Sequence, residues 1–274
     1  MSECYSNKFI LNGTSRDIEK FDDNILKRKG IVYEVIRVID GVPLFLEKHL
    51  ERMNRSFSLI GKDIKHTEEE IKEQIMSLIK EVNILNGNVK LLIDSESVEK
   101  NLLIYFVKHS YPTVEQYKAG VSTTLFFGER ENPNAKIVNT NFREQVNKQI
   151  EKADAYEAIL VDRDGFITEG SKSNIFMVRG KEILTSPLED VLPGVTRGSI
   201  IDICKDNNFS IKEEKVSYKD IVFFDGMFIT GTSPKILPIS NVDRIILNSS
   251  ENEIVLELID LYNKKIDDYI RKYK

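Results

Sequence analysis

The chain has 274 residues, 41% of them hydrophobic and 30% charged, with a formal net charge of -5; the composition is that of a soluble protein, and the acidic balance argues against a nucleic-acid or anionic-membrane surface as the main partner. No apolar run is long enough to span a bilayer. Two distant cysteines, Cys4 and Cys204, make no disulfide framework, so a reducing cytoplasm is the expected location.

Along the chain, Lys8–Leu11 with Asn12-Gly13 predicts a short strand and a turn. Ile31–Ile39 (IVYEVIRVI) reads as a strand, and Asp40-Gly41 closes a hairpin onto Val42–Phe45. Leu46, Leu50, Met53, Phe57 and Ile60 recur at helical spacing. Thr67 with Glu70 forms a capping box for a second helix carrying Ile71, Ile75, Leu78, Ile79 and Val82, which Asn86-Gly87 is expected to end. Val89–Ile93 and Leu102–Val107 follow as strands. A domain boundary falls near Tyr111-Pro112, giving a smaller domain over residues 1–115 and a larger one over 116–274. Beyond it, Val121–Phe127 predicts a strand and Phe142, Val146 and Ile150 mark a helix. Ala158–Val161 and Phe166–Thr168 form a hairpin, Ser199–Lys205 a helix, Ile221–Phe224 and Phe228–Thr230 short sheet-like runs, and Ile254–Ile270 a long amphipathic helix. Hairpins and helices are mixed in both halves, so the fold class is α+β.

Familiar templates are missing. No G-x-G-x-x-G follows a strand, no P-loop is complete, no Gly-x-Ser-x-Gly elbow appears, and no cysteine–histidine spacing suggests a metal site.

Four stretches can carry chemistry. Leu192-Pro-Gly-Val-Thr-Arg197 precedes a helix, and such a turn is either an anion site or an ordinary cap to which Thr196 contributes. Gly231-Thr232-Ser233 is a phosphate cradle or a hydrogen-bonded turn. His49, Arg52 and Ser56 share one helix stripe, where Arg52 gives a forked bond to phosphate or lies in a solvated face. Lys136, between a strand and a helix, is a Schiff-base lysine or one of many surface lysines. A further acid, Glu169, lies between two apolar runs in GFITEGSKSNIFMV (165–178).

In this order the stretches resemble the class IV aminotransferases, the fold-type IV enzymes that use pyridoxal phosphate (PLP), which include branched-chain and D-amino-acid aminotransferases and aminodeoxychorismate lyases. The segments are YEVIRV (33–38), FLEKHLERMNRS (45–56), NAKIVN (134–139), YEAILVDRDGFITEGSKSNIFMV (156–178), LPGVTR (192–197) and FITGTS (228–233). The resemblance implies a two-domain fold. It also implies that Lys136, in a K-x-x-N pattern with Asn139, holds PLP as a Schiff base, and that Glu169 pairs with the pyridine nitrogen. Arg52, Val195, Thr196 and Thr232 match phosphate contacts, Leu192 an apolar residue on the ring, and Tyr33 a position facing substrate. Ser233, in the same turn as Thr232, is expected at the substrate.

The implied reaction moves an amino group between an α-amino acid, of branched-chain or D-amino-acid type, and a 2-oxo acid, in a homodimer. Two alternatives are a lyase of the aminodeoxychorismate type and a non-catalytic PLP-binding relative. The chain departs from some relatives at Asn141, where they carry tyrosine, and at Lys108-His109, where D-amino-acid-type members often present arginine.

Overall fold

Alternation from Val32 to Ile39 organises the first sheet. Val32, Ile36 and Val38 are buried, whereas Tyr33, Val35 and Arg37 are half-exposed, as expected when successive side chains point to opposite faces of a strand. Glu34 shares the parity of the buried residues and is itself fully buried. The computed structural model describes residues 2–28, 30–97, 101–130, 133–137 and 140–274. The chain divides into two compact units, one of Met1–Ser110, Ala135–Val138 and Ile266–Lys274, the other of Tyr111–Asn134 and Asn139–Lys265.

The first unit holds β1 (Lys8–Leu11), β2 (Thr14–Asp17), β3 (Ile31–Ile39), β4 (Val42–Pro43), β5 (Gly87–Asp94) and β6 (Leu102–Val107), with helices α1 (Leu46–Leu59) and α2 (Glu68–Val82). The strands run antiparallel in the order β2-β1-β6-β5-β3-β4. One face packs Val32, Ile36, Leu91 and Ile104 against Leu50, Met53, Phe57, Ile71 and Ile75 of the two helices. Each such side chain contributes about 1.5–3 kcal/mol of burial. The other face gathers Phe9, Ile31, Leu92, Leu103, Tyr105 and Val107.

Two expectations shift here. Asn83, at a φ of 52°, is the left-handed C-cap of α2, so Asn86-Gly87 does not end the helix and Gly87 opens β5 instead. Asparagine tolerates this conformation because its short polar side chain bonds locally. The hairpin partner β4 is only Val42–Pro43, because Phe45 turns to a φ of 52° and starts α1.

The second unit contains α3 (Val114–Ala119), β7 (Val121–Phe127), α4 (Thr140–Ala153), β8 (Glu157–Val161), β9 (Phe166–Gly170), β10 (Asn174–Arg179), β11 (Glu182–Thr185), α5 (Val195–Asp206), β12 (Ser210–Glu213), β13 (Val216–Ser217), β14 (Gly226–Gly231), β15 (Lys235–Val242) and β16 (Ile245–Ile246). A final helix, α6 (Glu253–Tyr273), has its last residues counted with the first unit. The strand order is β12-β11-β10-β14-β15-β7-β8-β9-β13, with β16 on β15. Parallel pairs (β11–β12, β15–β7 and β7–β8) mix with antiparallel ones. Ile221–Phe224 is not sheet: Tyr218–Phe223 forms a 3-10 turn whose start Ser217 caps by accepting from the Lys219 N–H, and Val222 and Phe223 are exposed.

Removing the Thr67 cap tests the α2 boundary. Its hydroxyl accepts from the Glu70 N–H at 3.1 Å while its own N–H donates to Glu70 Oε2 at 2.9 Å. Thr67→Ala should cost about 1 kcal/mol, seen as a lower urea midpoint with an unchanged slope.

Candidate active site

Lys136 is reached through its backbone. In the first unit, residues around it lie along the start of β3, with an isolated bridge between Val32 and Ile137. The Tyr33 N–H donates to the Lys136 carbonyl at 3.2 Å. The Lys136 N–H donates to Ser56 Oγ at 3.2 Å, and the Ser56 hydroxyl donates to the Arg52 carbonyl at 3.0 Å. A strand and a helix therefore fix the lysine main chain from two sides. Its half-buried side chain ends with Nζ 4.8 Å from the centre of the Tyr33 ring, a cation–π arrangement while the amine is charged. Asn139, the other member of the K-x-x-N pattern, lies outside the described residues.

Arg52 is buried, not solvated. Its Nε donates to Glu34 Oε1 at 2.7 Å and its Nη2 to Glu34 Oε2 at 2.5 Å, a forked pair that sets the plane of the guanidinium. His49 Nδ1 lies 2.7 Å from Glu34 Oε2. His49 and Arg52 are one turn apart on α1, so one carboxylate of β3 gathers both. Burial pushes the Glu34 carboxyl up, but Arg52 and His49 outweigh it and hold it at about 2, below its ordinary 4.5. Burial lowers the His49 value from 6.5, opposed by Glu34. The ring is therefore neutral near pH 7 and donates through Nδ1.

In the second unit Glu169 lies in β9 itself, 3% exposed, rather than in a turn between strands. Burial is tolerated because donors meet Oε2 and a guanidinium lies beside Oε1. The Leu192 N–H donates to Oε2 at 3.1 Å and the Asn174 amide to the same oxygen at 3.5 Å, while Arg130 Nε lies 3.3 Å from Oε1. Asn174 also donates to the Leu192 carbonyl at 2.8 Å, clamping the LPGVTR loop to the strand. The turn after β9 hangs on a second buried acid, Glu157, whose Oε1 accepts from the Lys172 N–H at 2.6 Å and Ser173 Oγ at 3.0 Å. Burial raises the Glu157 pKa against those donors.

Helix α5 begins at Val195, four residues before the expected Ser199. Gly194 is the N-cap, no side chain caps the helix, and its first turn carries no acid. Thr196 is buried in that turn, with Oγ1 3.4 Å from the Tyr262 hydroxyl. A Cβ at Gly194 would lie 2.0 Å from Asn174 Oδ1, so the loop needs glycine there. Thr232 and Ser233 are half-buried in the turn joining β14 and β15. Asn174 pairs in register with Thr230, two residues before that turn, and Thr230 Oγ1 is buried without a hydrogen-bond partner among the described residues.

These features fit the cofactor that the motif order implies. A phosphate suits an α5 terminus with outward N–H groups, no acid and no side-chain cap. A pyridine nitrogen suits a buried carboxylate. The first unit brings together Lys136, Tyr33 and Arg52; the second brings together Glu169, Leu192, Val195 and Thr196. The residues that sequence reasoning passed over are Glu34, Glu157 and Arg130. Glu34 carried a signal, a charged residue at the apolar parity of a strand. Among the described residues no three or more His, Cys, Asp or Glu form a metal-holding group, and no helix is long and apolar enough to cross a membrane.

Because the folded Glu34 value lies below the unfolded one, its stabilisation is present above pH 4.5 and lost as pH falls toward about 2. His49 adds a loss beginning higher, below 6.5. Glu34→Gln should remove the lower limb from urea titrations across this range. At neutral pH it should cost about 3–5 kcal/mol, since Arg52 stays buried without its carboxylate.

Known proteins resemble the chain over most of its length. The family model described as amino-transferase class IV matches residues 31–242. A D-alanine aminotransferase of Bacillus licheniformis is 28% identical over 77% of this chain and 78% of its own length. A probable branched-chain-amino-acid aminotransferase of Rickettsia felis is 30% identical over 89% of this chain and 83% of its own. The crystal structure of a branched-chain aminotransferase from Thermoproteus uzoniensis superposes with a TM-score of 0.85 at 23% identity, covering 98% of this chain and 97% of that one.

Proposed function

The chain belongs to the class IV aminotransferases, an enzyme family that depends on PLP, and within it we propose an aminotransferase that moves the amino group of a branched-chain or D-amino acid to a 2-oxo acid. The observation that carries this reading is the docking of Lys136, its main chain fixed by β3 and α1 and its amine beside Tyr33.

PLP, when bound, supplies a conjugated electron sink for the bond electrons at the substrate α-carbon. Lys136 would hold the cofactor through Nζ and, once the substrate amine has displaced it, would as a free neutral amine take the α-proton and return it. Glu169 would favour a proton on the pyridine nitrogen, since a nearby carboxylate favours that charged form. Leu192 would pack its side chain on the ring, and its N–H donates to Glu169. Arg52 and Thr232, with the Val195 and Thr196 end of α5, would hold the phosphate. Glu34 and His49 fix the attitude of Arg52. Tyr33 and Ser233 face the substrate. The resemblance also supports a homodimer, which light scattering of the purified protein checks, and the two free cysteines support a reducing cytoplasm.

Borohydride reduction of the PLP-loaded protein should fix the cofactor on the peptide containing Lys136, and Lys136→Ala should abolish that adduct. An adduct that persists in the variant sinks the assignment. Glu169→Gln should keep the adduct and slow exchange of the α-proton by about 10²-fold or more. A panel of D- and L-amino donors against 2-oxo acids then separates the substrate types. Pyruvate release from aminodeoxychorismate, without amino transfer, would move the chain to the lyase reading.

A further inference from the structure

Buried hydroxyls in the second unit are commonly given carbonyl acceptors. Thr185 Oγ1 donates to the Ile175 carbonyl at 2.7 Å, Ser186 Oγ to the Ile167 carbonyl at 2.8 Å, and Thr123 Oγ1 to the Asn241 carbonyl at 2.9 Å. Thr230 of β14, 1% exposed, departs from this pattern: its Oγ1 has no hydrogen-bond partner among the described residues. Its cross-strand neighbours do not supply one. Ile236, opposite on β15, is apolar. Asn174, opposite on β10, donates its amide to the Leu192 carbonyl and Glu169 Oε2, and its Oδ1 fills the space beside Gly194. A buried hydroxyl left in this state costs stability. Its face of the sheet is known from its neighbours. Phe176 and Phe228 pair in register with their rings stacked at 5.1 Å, and Asn174 and Thr230 lie two residues away on the same strands, so all four project to one side. On that side Asn174 meets the loop at Leu192–Gly194, which leads straight into Val195 and helix α5. Thr230 therefore faces the end of α5 that has no side-chain cap and no acid in its first turn.

We propose that the Thr230 hydroxyl is a cofactor-dependent donor: it gives its hydrogen bond to a phosphate oxygen at the α5 N-terminus and stays unsatisfied until that oxygen arrives. This rests on the reading that places the phosphate between Val195, Thr196 and Thr232, the last of these two residues beyond Thr230. A hydroxyl has a proton to give, and a phosphate brings acceptor oxygens in surplus. The outward N–H groups of α5 favour the same negative charge, so helix and hydroxyl select one kind of ligand. The ring nitrogen is a poorer partner, because its proton is directed to Glu169. The consequence is a reversal of sign. In the empty protein the Thr230 hydroxyl is a buried donor without an acceptor, and removing it relieves a cost. In the loaded protein the same hydroxyl bonds a charged oxygen, and removing it weakens binding. A threonine that only packs, or one that keeps a resident water, changes both states in the same direction.

The test uses the full chain, stripped of cofactor and then titrated. Thermal melts without ligand compare wild type with Thr230→Val, which replaces the hydroxyl by a methyl group of similar shape, and Thr230→Ser, which keeps it. Without ligand, Thr230→Val should melt higher than wild type by about 2–4 °C. Absorbance titrations then give the affinity for PLP and for pyridoxal, which lacks the phosphate. Thr230→Val should lose about tenfold or more in PLP affinity, the scale of a hydrogen bond to a charged group, and should bind pyridoxal as wild type does. Thr230→Ser should bind PLP as wild type does. A ligand-free Thr230→Val that melts at or below wild type overturns the proposal, because the hydroxyl then has a resident partner such as a water. So does an unchanged PLP affinity, or an equal loss for PLP and pyridoxal, which would put the contact on the ring. Thr232→Val tests the placement of the phosphate by itself. If it leaves PLP affinity unchanged that placement fails, whereas a loss in Thr232→Val without one in Thr230→Val sinks only the present proposal.

Discussion

A carboxylate taken out of water must be given donors, and among the described residues this chain buries three glutamates on its strands. Glu34, Glu157 and Glu169 are 0%, 4% and 3% exposed. In each case the donors come from a different element that the site requires. Glu34 draws in the arginine and histidine of α1. Glu157 draws in the backbone and hydroxyl of the turn at 172–173. Glu169 draws in the loop at Leu192 and the amide of Asn174. Rotating a helix or lifting a loop would strand a buried charge, so each unit's share of the site is tied to the stability of that unit. The three environments also differ. Glu34 faces a guanidinium that keeps it ionised, whereas Glu157 faces neutral donors and burial pushes its pKa up. Similar strands thus hold acids of opposite tendency, set by what packs against them.

Much of the fold was legible because it is written in local signals. The alternation of Ile31–Ile39, the Thr67–Glu70 box and the helical stripes of α1, α2 and α6 all specify themselves over a few residues. What failed were boundaries decided by distant partners. Glu169 looks like a break between two apolar runs until the Leu192 N–H, 23 residues away, makes it a tolerable strand residue. Helix α5 starts at Val195 with Gly194 as its N-cap, and Asn174 Oδ1 fills the space that a Cβ would need there, a contact no spacing rule contains. Strand β15, absent from the elements predicted along the chain, contains Pro238, a residue type that strands seldom hold in their interior.

The site residues divide in the same way. The order of EGSKSN, LPGVTR and GTS points to a family whose model spans 31–242, and it points there through residues whose types are dictated by phosphate, ring nitrogen and amine chemistry. The residues that orient them were harder to read, because orientation is a property of three-dimensional neighbours. Glu34 showed only as a charge at the apolar parity of its strand, Glu157 as an ordinary strand position, and Ser56 as a polar member of the His49–Arg52 stripe. Yet Ser56 joins Lys136 to α1, and Glu34 turns Arg52.

The few residues around Lys136 belong with the first unit, although the chain on both sides of them belongs to the second. The polypeptide therefore cannot be treated as two modules joined by one linker. Cutting it after Ser110 would give a front fragment without its lysine segment and a rear fragment carrying that lysine without the strand that seats it. Exchange of whole halves between relatives is blocked for the same reason. Only swaps that keep β3, α1 and residues 135–137 from one parent preserve the seat, so these stretches are inherited as one physical unit despite being about 80 positions apart in the chain.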